Sequence, residues 1–140
     1  MKFSRPLVKA KFLKRYKRFF SEHILADGST IIAHCPNPGA MTGIAEKGIT
    51  SWLSKRDDPK RKLKWTWELV NKNNNFIGIN THNPNNIIHE AINSNQIVEL
   101  SGYETIRREV KYGENSRIDI LLQSNNKKDC YLEIKNVHLS

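Results

Sequence analysis

The 140-residue sequence predicts two small domains: a β-barrel over residues 1–82, then the first part of an α/β domain over residues 83–140. Three observations lead there. Short apolar runs separated by turn residues fill the first half, with an Asp-Gly pair between two of them. At Asn83-Pro84-Asn85-Asn86 the pattern switches to helical spacing. Beyond Gly102-Tyr103 three alternating runs return, joined by short polar turns.

Taken in order, residues 7–20 read as a strand entering a hairpin. The runs Phe19 to Leu25 and Thr30 to Cys35 flank Ala26-Asp27-Gly28-Ser29, a strong hairpin signal. Two prolines and two glycines in residues 36–43 exclude regular structure. Segments at 50–53, 64–69 and 76–80 read as further short strands, which suits a small closed barrel. A helix is expected from about Ile87, capped by the preceding asparagines, with Ile88, Ala91 and Ile92 on its apolar face. Three strands follow, at 105–112, 117–122 and 130–137. One helix over a three-stranded sheet leaves a face bare, so the chain is expected to be a fragment of a longer protein.

Composition narrows the function. A net charge of +9 favours polyanionic partners, nucleic acid first and an anionic membrane surface second. The charge is concentrated. Residues 1–18 carry eight basic residues and no acid, including Lys14, Arg15, Lys17 and Arg18. A second cluster holds Lys55, Arg56, Lys60, Arg61, Lys62 and Lys64 against Asp57 and Asp58 only. Two cysteines are too few for a disulfide framework, and no signal segment or membrane-length apolar run is seen, so a cytoplasmic protein is expected.

One constellation suits catalysis. Asp is depleted in strands, yet Asp119 stands between Ile118 and Ile120-Leu121-Leu122, and the next strand carries Glu133-Ile134-Lys135. If the strands pair, two carboxylates and an ammonium meet, which is how Mg²⁺ is commonly held. The tripeptide also occurs at Glu109-Val110-Lys111, without a nearby upstream Asp. Ion pairing with Arg117 or Lys135 explains the same pattern. Zinc at His34, Cys35 and Cys130, and a Cys35 nucleophile, lack the necessary spacing and third group. Trp65 and Trp67 share a strand face, which fits barrel core better than a base-stacking platform, although adjacent lysines keep stacking open. Asn37 and the loop glycines offer N–H groups to phosphate, or simply a turn.

Several stretches together resemble the bacterial sugar fermentation stimulation protein family. They are Arg15 to Phe19, His34 to Gly43, Arg61-Lys62, Trp67-Glu68-Leu69, Glu99 to Tyr103, Glu109 to Gly113, Ser116 to Asp119 and Glu133-Ile134-Lys135. The resemblance runs in order through essentially the whole chain. It implies an N-terminal OB-like barrel that binds nucleic acid (residues 1–82) and a C-terminal PD-(D/E)xK nuclease-like domain begun at residue 83. It also implies DNA binding without sequence preference and a regulatory role in sugar (maltose) metabolism. Family chains are longer by a good part of a domain. Asp119, Glu133 and Lys135 fall on the nuclease motif, Glu90 is placed as its upstream acid, and Ile118 stands where the motif has proline. The expected nucleic-acid contacts are Lys14, Arg15, Lys17, Arg18, Lys60, Arg61, Lys62, Asn37 and Trp67. The alternative to a binding protein is a Mg²⁺-dependent DNA or RNA nuclease that uses Asp119, Glu133 and Lys135, with Glu90 as a further metal ligand.

Overall fold

The computed structural model describes residues 2–3 and 5–138. The chain forms two compact units, centred on Lys2–Thr81 and His82–Val137.

In the first unit, β1 (Val8–Tyr16) and β2 (Phe20–Leu25) form a hairpin, where the sequence reads 7–20 as a strand entering a hairpin without locating the turn at Lys17-Arg18. The turn is hidden because it uses no glycine or asparagine: Lys17 and Arg18 themselves take φ of 50° and 63°. That left-handed conformation costs roughly 1 kcal/mol or more per L-residue, so the hairpin is locally strained. The Asp-Gly turn does form. Gly28 has φ 88°, and Asp27 Oδ1 accepts the Ser29 N–H at 2.9 Å, joining β2 to β3 (Thr30–His34). β4 (Thr50–Lys55), β5 (Trp65–Lys72) and β6 (Asn75–Gly78) complete the unit. β1 pairs with both β2 and β4, β4 pairs with β5, and β5 closes onto β3 in parallel through Ala33↔Trp65 and His34↔Thr66. Five strands therefore form a closed barrel, and β6 extends it from β5 through a turn at Asn73 and Asn74, φ 51° and 63°.

Alternation dictates what fills it. Ala10 and Phe12, Ala33, Leu53, and Trp67 and Val70 face inward from four strands. The irregular loop 35–49 adds Cys35, Met41 and Ile44, so a segment with no regular structure plugs one end of the core. Phe12 stacks on Trp67 at 4.7 Å, and His23 meets Trp67 edge-on at 4.9 Å. His23 is fully buried. Its ring nitrogens lie 2.8 Å from the hydroxyls of Ser21 and Ser51, and burial lowers its pKa to about 4.

In the second unit, α1 (Asn83–Asn93) starts about a turn earlier than expected. Pro84 lies at its first positions, where the missing N–H would be unpaired anyway. A 3₁₀ turn (Val98–Leu100) leads to β7 (Thr105–Tyr112), β8 (Ser116–Ser124) and β9 (Lys127–Leu132), an antiparallel sheet in that order. Ile92 from the helix packs with Ile120 and Leu122 from β8, and Ile88, Ile106, Cys130 and Leu132 surround them. β9 stops at Leu132, five residues before the expected end, so Glu133 and Lys135 lie beyond the strand. Among the described residues no helix is long and apolar enough to cross a membrane.

Candidate nucleic-acid interface and carboxylate site

The first basic cluster runs along β1 into the turn that follows it, and the second falls on the β4–β5 loop. The β1–β2 turn carries exposed Lys17 and Arg18, with exposed Lys14 just before it in an ion pair to Glu22 at 3.7 Å. Register places Lys14 directly opposite Glu22, which fixes that pair. The β4–β5 loop runs from Arg56 to Lys64 and is closed by Arg56 N–H donating to Lys64 O at 2.8 Å. Lys60, Lys62 and Lys64 are exposed on it. Its acids are partly occupied: Asp58 accepts the Lys60 N–H at 2.9 Å, and Asp57 pairs with Arg5 at 3.4 Å. Arg61 Nη2 donates to Thr66 Oγ1 at 3.0 Å, tying the loop to β5.

Three expected contacts are structural instead. Trp67 is fully buried, with its indole N–H donating to Leu69 O at 3.0 Å, so it offers no face to a base. Asn37 is 3% exposed. Its amide nitrogen donates to Ile79 O at 3.1 Å, and its oxygen accepts the Gly39 N–H at 3.0 Å. Arg15 donates to the carbonyls of Arg18 at 2.8 Å, Gly39 at 2.5 Å and Asn37. Its guanidinium thus clamps the hairpin turn to the core-plugging loop, which leaves fewer donors for phosphate. Cys35 sits under this clamp, fully buried and 3.7 Å from Met41 Sδ. Burial pushes its thiol pKa up against the opposing pull of Arg15, the wrong direction for a nucleophile.

Strand register reveals a feature that no linear motif showed. Tyr16 lies directly opposite Phe20, Phe20 opposite His34, and His34 beside Thr66. Paired residues share a sheet face. Their neighbours Ser21 and Ala33 point inward and are buried, so this row lies on the outside of the barrel. The rings of Tyr16 and Phe20 stack at 5.4 Å and 12°, and Phe19 lies over His34 at 6.4 Å and 26°. Phe19 is 46% exposed. The row begins at the Lys17-Arg18 turn and ends at Thr66, where Arg61 of the second basic loop is bonded.

In the second unit Asp119 meets the backbone between Glu133 and Lys135. The β8–β9 ladder ends at Ile120↔Leu132, and at the next step Asp119 Oδ2 accepts the Ile134 N–H at 2.7 Å. Asp119 Oδ1 accepts from Asn85 Nδ2 of α1 at 3.3 Å. Lys135 Nζ is 2.7 Å from Glu133 Oε1, with both side chains exposed. Hydrogen bonding and charge from Glu133, with a smaller contribution from Asp119, hold the Lys135 ammonium above its ordinary pKa. Glu90 is exposed on α1, and the helix reaches Asp119 through Asn85. Among the described residues no group of three His, Cys, Asp or Glu side chains is placed to hold a metal ion, so Glu90 does not complete a three-acid set with Asp119 and Glu133. Both Asp119 oxygens already accept hydrogen bonds and Glu133 is paired with Lys135, so each carboxylate has a protein partner here. Glu109, set aside on sequence grounds, takes φ 53° and has no partner in the β7–β8 register, between the paired Arg108 and Val110.

Comparison with known proteins fits both units. Residues 13–79 match the family model of the SfsA N-terminal OB domain, and residues 82–140 that of the sugar fermentation stimulation protein RE domain. Curated sugar fermentation stimulation protein homologs are similar along almost the whole chain. That of Maricaulis maris is 54% identical over 138 residues, 99% of this chain and 59% of its own. That of Paramagnetospirillum magneticum is 52% identical over 139 residues, with the same shares. The chain thus spans about three fifths of the length of these relatives. A solved structure of Pyrococcus furiosus SfsA in complex with Ca²⁺ superposes with a TM-score of 0.82, covering 95% of this chain and 55% of that one. At 22% identity this likeness speaks to the fold alone.

Proposed function

The chain belongs to the sugar fermentation stimulation protein family, and from that premise we propose that it binds DNA through its barrel without reading sequence, the family's name linking that binding to sugar metabolism. One observation carries the reading. The β1–β2 turn carries Lys17 and Arg18, and the β4–β5 loop carries Arg56, Lys60, Arg61, Lys62 and Lys64; these are the loops by which OB barrels hold oligonucleotides. Flexible, exposed lysines on loops meet phosphate without selecting bases. The test is salt dependence. Replacing Lys17, Arg18, Lys60 and Lys62 with alanine should weaken binding to unrelated duplexes by similar factors. It should also flatten the plot of log affinity against log salt by about 3.6, near 0.9 per lost contact. An unchanged slope removes these loops from the interface.

A second reading is supported by the bond to Asp119 from the Ile134 N–H, which lies between the paired Glu133 and Lys135. In it the full-length protein is a PD-(D/E)xK-type, metal-dependent nuclease, and Asp119 and Glu133 hold Mg²⁺. The Ca²⁺ complex of the Pyrococcus relative is in keeping with it. The metal would supply Lewis-acid stabilisation of the phosphate. Lys135 orients the Glu133 carboxylate and neutralises part of the charge that would otherwise repel DNA. Asp119 anchors the segment that carries both by capturing the Ile134 N–H. Incubating the full-length protein with plasmid, single-stranded DNA or RNA, in Mg²⁺ or Mn²⁺ against EDTA, separates this reading from binding alone. Cleavage that needs metal and vanishes in Asp119→Asn supports it. Cleavage that survives Asp119→Asn overturns it.

A further inference from the structure

We infer that the outer aromatic row Tyr16–Phe20–His34, extended by Phe19, is a base-stacking platform, and that the barrel's preferred ligand is single-stranded nucleic acid. The inference rests on the barrel being a nucleic-acid binder and adds strandedness to it.

The barrel core does not need these rings. Its apolar interior is built from Phe12, Trp67, Leu53 and smaller residues, and none of Tyr16, Phe19, Phe20 or His34 belongs to it. Tyr16, Phe20 and His34 lie half-buried on the outside of three strands, and Phe19 in the adjoining turn, 46% exposed, presents apolar area to water. A surface of that kind is expected where something covers it. The charges around it say what. Lys17 and Arg18 lie in the turn that starts the row, Arg61 is bonded to the residue that ends it, and Lys14 lies one pair further along β1. The acid on this face, Glu22, is paired with Lys14, and exposed Ile32 lies opposite Glu22 on β3. Cations at both ends of an aromatic strip reproduce the two parts of a single-strand groove, in which phosphates follow the charges and bases lie on rings. A duplex keeps its bases stacked on one another and has none to give to Phe19. The strip therefore adds affinity for a single strand and nothing for a duplex.

The experiment compares fluorescently labelled oligo(dT), oligo(rU) and a DNA duplex matched for phosphate number, by anisotropy at several salt concentrations. The proteins are wild type, Phe19→Ala, Phe19→Leu and the double variant Tyr16→Ala/Phe19→Ala. Wild type should bind single strands more tightly than the duplex. Phe19→Ala and Phe19→Leu should both lose about tenfold on single strands, and the double variant up to about a hundredfold, with the salt slope and duplex affinity unchanged. Phe19→Leu keeps apolar bulk without a π face, and melting temperatures near wild type show that the fold is intact. Equal loss on single and double strands, or no loss in Phe19→Leu, overturns the platform. Salt-dependent binding that prefers the duplex also overturns the platform while leaving the basic loops as the interface. Failure to bind any nucleic acid overturns both readings.

Discussion

His23 shows how one residue ties the barrel to pH. Its imidazole lies between the Ser21 and Ser51 hydroxyls and against Phe12 and Trp67, where only the neutral form is tolerated. The folded-state pKa is lowered from 6.5 to about 4, so below pH 6.5 the unfolded chain takes up a proton that the folded barrel refuses. The stabilising contribution is complete above pH 6.5 and is lost as pH falls toward 4, amounting to about 3 kcal/mol. Urea denaturation at pH 7.5 and 4.5 should show that loss in wild type and a much smaller one in His23→Leu. Arg15 makes a different point. It sits among phosphate-binding candidates but holds three backbone carbonyls. Arg15→Ala should lower the melting temperature, whereas Lys62→Ala, on an exposed loop, should leave it unchanged and only weaken DNA binding. Trp67→Ala removes the largest fully buried side chain. It should cost about 3–5 kcal/mol in denaturant melts, the range for deleting a buried aromatic.

At the scale of elements, the β1–β2 hairpin trades stability for position. Two residues in left-handed backbone present Lys17 and Arg18 at the end of the aromatic row. Replacing Lys17-Arg18 by Asn-Gly suits that backbone and should raise barrel stability by about 1 kcal/mol while weakening DNA binding. Calorimetry and anisotropy on the same variant would check the opposite signs. The β8–β9 pair ends by a side-chain substitution for the ladder: Asp119 takes the Ile134 N–H where the next backbone rung would stand. Hydrogen bonds to charged acceptors contribute about 1.5–3 kcal/mol, so Asp119→Ala should speed exchange of the Ile134 amide by roughly tenfold or more. Asp119→Asn, which keeps an acceptor oxygen, should speed it less. The position of Asp119 is thus structural as well as chemical, and a loss of cleavage in Asp119→Ala alone would not separate the two roles.

For the whole molecule, a net charge of +9 sets long-range attraction to polyanions, and the fold decides where the charge is usable. Much of the excess lies in the barrel unit, along β1, in its turn and on the β4–β5 loop. Divalent cations provide a test at this scale. Mg²⁺ or Ca²⁺ should raise the melting temperature of wild type and not of Asp119→Asn/Glu133→Gln, because binding to the folded state alone stabilises it. No metal-dependent shift in wild type would remove the cation site from this chain.

The sequence by itself determined a good deal. Asp27-Gly28 specified a hairpin, Trp67 was assigned to the barrel core, and the helical spacing of Ile88 and Ile92 specified a packed face. Each of these signals is local, carried by backbone preference or by a period within a few residues. The contact of Asp119 with the Ile134 N–H follows from the same locality, since strands adjacent in sequence pair in space, although the strand itself stops at Leu132. Tertiary structure alone decided what depends on distant segments meeting. Parallel pairing of β3 with β5 closed the barrel, burial removed Asn37 and Trp67 from any interface, and three carbonyls claimed Arg15. Register across four strands then aligned Tyr16, Phe20, His34 and Thr66, because pairing fixes which side chains are neighbours, and one-dimensional spacing does not encode pairing.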